Sequence, residues 1–213
     1  MEKNKILLST TAVGDFYINE VQNFLQTDFS KYFHIQILTD KPSLFKGYQT
    51  QQYHNDTFNY FDKFIFGLEN INKHKNLGLV YDADELINLE RDFYLFDFKS
   101  KEIQFFQYWN NEGTLDSLPP EDDYFWMFFK DIIKYENIED NDIMLVHEDR
   151  MLFPKYDYTK FLHIFKDMKE PFTSNSYEHH GHKGGVGNGE GVALGYTLLK
   201  TGIPYKVIYS SNT

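Results

Sequence analysis

Residues 78–85 read GLVYDADE, an apolar, strand-prone run that ends on Asp82, Asp84 and Glu85. Carboxylates this close repel one another, so either water screens them or a cation sits among them. Asp82 and Asp84 are two residues apart. They share a face in extended chain and can converge on one ion at a strand end. Hard oxygen ligands suit Mg²⁺ or Mn²⁺, ions that commonly complete their shells with substrate phosphates. The alternative is a solvated loop in which Asp84 caps a following turn. Other chemistry-bearing residues stand farther along. Glu190, in GNGEGV, opens an expected helix, where an acid serves as a cap or as a reacting group. VHEDR at 146–150 offers Asp149 as a base. YEHHGHKGG sets His179, His180 and His182 among glycines, as transition-metal ligands, ligand contacts or a mobile polar lid.

The elements that must position these residues follow from periodicity. KILLSTTAV reads as a buried strand, followed by Gly14 and a helix whose apolar positions are Phe16, Tyr17, Val21, Phe24 and Leu25. FHIQILTD is a second strand, YFDKFIFGLENINKH a helix with Phe61, Phe64, Ile65 and Leu68 on one face, and LGLVYDAD a third strand. Strand and helix alternation predicts an α/β domain with a mostly parallel sheet flanked by helices. In such sheets ligands collect beyond the carboxyl ends of the strands, where both TAVG and DADE fall. IQFFQYW reads as a further strand, GHKGGVGNGEG as a flexible glycine loop, VALGYTLLKTG as a helix and IPYKVIYS as a closing strand. Glu85 is expected only to trim the end of its strand.

The whole chain sets limits on function. Its 213 residues, 41% hydrophobic and 18% aromatic, suit one globular domain over 1–213. A net charge of −11 argues against a nucleic-acid or anionic-membrane surface, and a phosphate ligand would need a cation beside it. No cysteine is present, which excludes disulfide and thiolate chemistry. The first residues hold too short an apolar run for a signal peptide, and no apolar stretch of about 20 residues occurs. A cytoplasmic protein with no membrane span is expected.

Four stretches taken in order resemble glycosyltransferase family 6, the GT-A-fold family of the α1,3-galactosyltransferases and the blood-group A and B transferases, with bacterial and phage relatives. TAVGDFYINEVQNFL is similar to the family's opening strand, loop and helix. YFDKFIFGLENI with LGLVYDADEL looks like its helix and metal-binding strand, DAD standing where vertebrate members have DVD. IQFFQYWNNEG is similar to the aromatic segment that follows, and GEGVALGYTLLKTGIPYKVIYS to the closing helix and strand.

The resemblance implies a single GT-A, Rossmann-like domain, with a nucleotide- and metal-binding half over 1–100 and an acceptor and catalytic half over 101–213. It implies a retaining hexosyltransferase using UDP-Gal, UDP-GalNAc or UDP-Glc and Mn²⁺ or Mg²⁺, acting on an oligosaccharide or lipopolysaccharide-type glycan. Asp82 and Asp84 would hold the ion on the donor diphosphate. Thr11, Ala12 and Val13 would wall the uridine, Phe16 standing where a family tyrosine often sits. Lys63, on the helix before the metal strand, would pair with phosphate or form a structural salt bridge, and Tyr81 would adjoin the donor beside Asp82. Glu190 would be the carboxylate beneath the sugar, although Asn188 and Gly189 replace the family's histidine and aspartate before it. Trp109 is the candidate for stacking on an acceptor sugar, with His179, His180 and His182 as further acceptor contacts, whereas Trp126 reads as core. The alternatives are another GT-A nucleotide-sugar or nucleotidyl transferase, and a non-catalytic nucleotide- or glycan-binding module.

Overall fold

Burial follows the strand periodicity expected for a sheet covered on both sides. In the first strand, β1 (Ile6–Ala12), Leu7 enters one apolar cluster while Leu8 and Ala12 enter another. The structure is a computed structural model and describes residues 6–55, 58–107, 146, 148–173, 176–179, 182–186 and 190–209. After β1 come helix α1 (Asp15–Leu25), β2 (Phe33–Thr39), β3 (Gln49–Gln52), β4 (Phe58–Asn59) and helix α2 (Tyr60–His74). Then follow β5 (Gly78–Tyr81), the short helix α3 (Leu89–Phe93), β6 (Ile103–Gln107) and β7 (Arg150–Phe153). Helix α4 (Thr159–Thr173), β8 (Ser176–His179), β9 (His182–Val186), helix α5 (Glu190–Thr201) and β10 (Tyr205–Tyr209) complete the described chain.

Among the described residues seven strands form one sheet in the order β10-β6-β7-β5-β1-β2-β3, and of these β7 alone runs antiparallel to its neighbours. The fold is thus α/β with a mostly parallel sheet, and strands from both ends of the chain share it. One face packs on α2, α4 and α5 through residues such as Val80, Phe105, Met151, Phe161 and Leu194. The other face packs on α1 and the segment after β5 through Leu79, Tyr81, Phe106 and Leu152. From β1 the chain winds outward through β2 and β3, then returns to place β5 on the other flank of β1. The carboxyl ends of β1 and β5 therefore meet at a topological switch point, the place where such sheets leave a crevice.

A second sheet of three strands has the order β4-β9-β8. Its strand β9 corrects the expectation of a flexible glycine loop: His182–Val186 is extended and pairs with both β4 and β8. Glycine costs a strand entropy, yet it lets another backbone approach closely, and here two do. Among the described residues no helix is long and apolar enough to cross a membrane.

Candidate functional site

The site begins with how α2 lies against β5. Lys63, Gly67 and Ile71 are spaced four apart and form one stripe of α2. Lys63 reaches Asp82, just past the strand. A Cβ on Gly67 would stand 2.6 Å from Val80 Cγ2, and one on Gly78 would stand 2.4 Å from Ile71 Cγ1. Helix and strand therefore run in opposite directions in step: 63 over 82, 67 over 80, 71 over 78. The spacing matches, because four helical residues rise about 6 Å and two strand residues about 6.6 Å. The helix is started by the Asn59 side chain, which accepts from the Phe61 N–H at 3.0 Å.

Lys63 is 2% exposed and its Nζ lies 2.5 Å from Asp82 Oδ1. Burial pushes the ammonium down, but Asp82, Glu190, Glu148 and Asp149 together push it up further, so it stays charged. Burial lifts the Asp82 carboxyl above the usual carboxylate range, while Lys63 pulls it back and Asp149 adds to the rise. The Asp82 N–H donates to the Asp149 carbonyl at 2.8 Å, extending the β5–β7 pairing by one step.

A cleft of about 30 Å³ opens at this point, lined by Thr11, Val13, Tyr17, Phe58, Tyr60, Lys63, Asp82 and Ala83. Tyr17 is pushed up to about 12, first by burial and then by Asp84, Tyr60 and Asp82. Tyr60 is raised as well, by burial and then by Glu190. Both remain neutral phenols able to donate hydrogen bonds into the cleft. Asp84 is exposed on the same turn.

Glu190 is 4% exposed at the start of α5, and its Oε2 has no hydrogen-bond partner among the described residues. Burial first, and Glu148 second, hold its carboxyl well above the ordinary glutamate value, with Lys63 acting the other way. The next residue has no room for a side chain: a Cβ on Gly191 would lie 2.3 Å from the Val146 carbonyl oxygen and 2.8 Å from Glu148 Oε2. The small sheet joins the chain ahead of α2, Gly185 and Val186 of β9 pairing with Phe58 and Asn59.

Thr11, Val13, Lys63 and Asp82 thus line one cleft, and Glu190 adjoins it through Lys63. Other expected donor residues lie elsewhere. Ala12 is buried in the α1-side core, and its carbonyl accepts from Thr39 Oγ1 at 2.7 Å. Phe16 is 51% exposed and stands edge-on to Tyr17; of these two rings it is Tyr17 that lines the cleft. Tyr81 belongs to the opposite face of the sheet, because β5 alternates and Val80 and Asp82 take the α2 side. Its hydroxyl donates to Asp92 Oδ2 at 3.2 Å.

Asp92 also accepts from the buried Arg150 at 2.7 Å, and Arg150 lies 3.4 Å from Glu85. Glu85 therefore does more than trim a strand: with Arg150 and Asn88, which donates to it at 2.8 Å, it pins the turn that carries the two aspartates. His179 and His182 are register partners where β8 and β9 meet, on the sheet that joins β4. His180, Trp109 and Trp126 lie outside the described residues.

Tyr17, Tyr60 and Glu148 are site residues the sequence reading did not select. A signal for Tyr17 existed, since Tyr17, Val21 and Phe24 follow the i, i+4, i+7 stripe and Phe16 falls beside it. Glu148 lies in the acidic VHEDR stretch, of which the sequence reading selects only Asp149. It reaches the site because β7 runs backwards and brings its amino end to the edge where the parallel strands end. No protein-family model matches the chain, and no curated protein matches it.

Proposed function

We propose that the chain is a retaining glycosyltransferase of GT-A type. It would move a hexose or N-acetylhexosamine from a UDP-sugar to a glycan acceptor, with Mn²⁺ or Mg²⁺, forming an α-linkage. The observation that carries this reading is a convergence at the switch point. A strand-end aspartate, a buried lysine and two neutral tyrosines line one cleft, and the buried Glu190, with an unsatisfied oxygen, shares that lysine's field.

The residues present suit a divalent ion held together with a substrate. Asp82 and Asp84 supply hard oxygens on one turn, and a diphosphate would supply more. When bound, the ion neutralises the diphosphate and stabilises UDP as it departs. A cavity of about 30 Å³ fits the deep, ion-holding end of a donor site, with the nucleotide lying across its mouth. Thr11 and Val13 form the wall there, and the Tyr17 and Tyr60 hydroxyls donate to phosphate or sugar oxygens. Glu190 offers its unsatisfied oxygen to the anomeric carbon, as nucleophile or as a countercharge to the developing cation. A cytoplasmic setting and a lipopolysaccharide-type acceptor belong to the same proposal.

The test is incubation with UDP-Gal, UDP-GalNAc and UDP-Glc in Mn²⁺, following UDP release with and without EDTA. Release from at least one donor, abolished by EDTA, is expected. UDP binding without release from any donor, even with glycan acceptors present, would leave a binding module. No UDP binding would end the reading.

A further inference from the structure

The acidic turn already has a cation of its own. Lys63 is almost wholly buried, with its ammonium 2.5 Å from Asp82 Oδ1 and 4.7 Å from the Phe64 ring centroid. It shares a stripe with Gly67 and Ile71, whose close packing against Val80 and Gly78 sets the position of α2 along β5. Four carboxyl groups bear on that one ammonium, those of Asp82, Glu190, Glu148 and Asp149, and Glu190 Oε2 has no partner among the described residues. Yet among the described residues no three metal-ligating side chains come together. Asp82 and Asp84 alone, one of them already ion-paired, give a hydrated dication too few oxygens. A nucleoside diphosphate would bring the missing oxygens.

We infer that Lys63 is a resident counter-cation that competes with the divalent ion for Asp82, so that the ion is taken up with the nucleoside diphosphate and not before it. The inference rests on the donor-site reading above and adds an order of binding to it. By linkage, the diphosphate must tighten ion binding by the same factor that the ion tightens diphosphate binding.

The experiment titrates Mn²⁺ into the full chain, following the free-ion electron paramagnetic resonance signal, with and without UDP and with an Mn²⁺–UDP blank. Ion binding tightened by UDP on the order of tenfold or more is expected, with the reciprocal gain for UDP in Mn²⁺. Lys63→Met, checked for folding by circular dichroism, should bind Mn²⁺ without UDP on the order of tenfold more tightly than the unaltered protein. Lys63→Arg should keep the UDP dependence. Equal Mn²⁺ affinity with and without UDP overturns the inference while leaving the donor reading intact, and needs no variant. A folded Lys63→Met that binds Mn²⁺ no better also overturns it. Absence of UDP binding in either condition refutes the donor reading and this inference together.

Discussion

In the proposed reaction Glu190 has to carry a negative charge in surroundings that resist one. Burial and Glu148 raise its carboxyl well above the ordinary value of 4.5, so the folded protein keeps a proton that the unfolded chain releases. Below that value both states hold the proton and the residue is neutral for stability. As pH rises toward the folded value, only the unfolded state gains by ionising, so stability falls. Glu190→Gln should therefore raise the melting temperature at pH 7.5 by a few degrees, on a scale of about 2–4 °C per kcal/mol, with the gain shrinking toward pH 4. It should leave UDP binding near normal and lower turnover on the order of a hundredfold or more. On the proposed function, the unaltered protein should lose activity as pH falls through the raised value, giving an acid limb above the usual carboxylate range. Full turnover in Glu190→Gln would remove this residue from the chemistry.

The contact between α2 and β5 is what gives Asp82 its cation. Gly67→Ala would drive a methyl into Val80 Cγ2, and overpacking of this kind costs about 1–3 kcal/mol. Because Gly67 lies one turn from Lys63, the variant should also weaken metal-dependent UDP binding, measurable as a lower denaturation midpoint together with a higher UDP Kd. A stability loss with unchanged UDP binding would separate the helix contact from the site. The two elements themselves were legible, as an amphipathic period in YFDKFIFGLENINKH and an apolar run in LGLVY. Their mutual register was not. Periodicity assigns each residue a face of its own element but never says which residue of another element lies opposite. Tyr81 is a different case: strand alternation alone puts it on the face opposite Asp82, so its place was legible in the sequence.

At the scale of the molecule, the mostly parallel sheet was legible from alternating elements, whereas β7, which the sequence reading did not assign, and its direction were not. A buried run such as RMLF looks the same in either direction. That one reversal decides whether Glu148 and Asp149 stand at the site edge or at the far edge. Since the cleft is lined by β1, α1, β4, α2 and the turn after β5, with Glu190 of α5 beside it, a ligand there should stabilise the fold as a unit. UDP and Mn²⁺ together at about 100 times Kd should add about 2.7 kcal/mol, or roughly 5–10 °C in melting temperature. A thermal-shift measurement checks this, with UDP plus EDTA as the control. With a net charge of −11, UDP alone should give much the smaller shift.

The stepped match of 63, 67 and 71 with 82, 80 and 78 also bears on how this protein can change length. One residue added to α2 between Lys63 and Gly67 turns the lysine by about 100° away from the strand. One added within β5 sends its carboxylate to the face that Tyr81 now occupies. Insertions and deletions between residues 63 and 82 should therefore survive only in the turn after His74, and variation in chain length should gather outside this span.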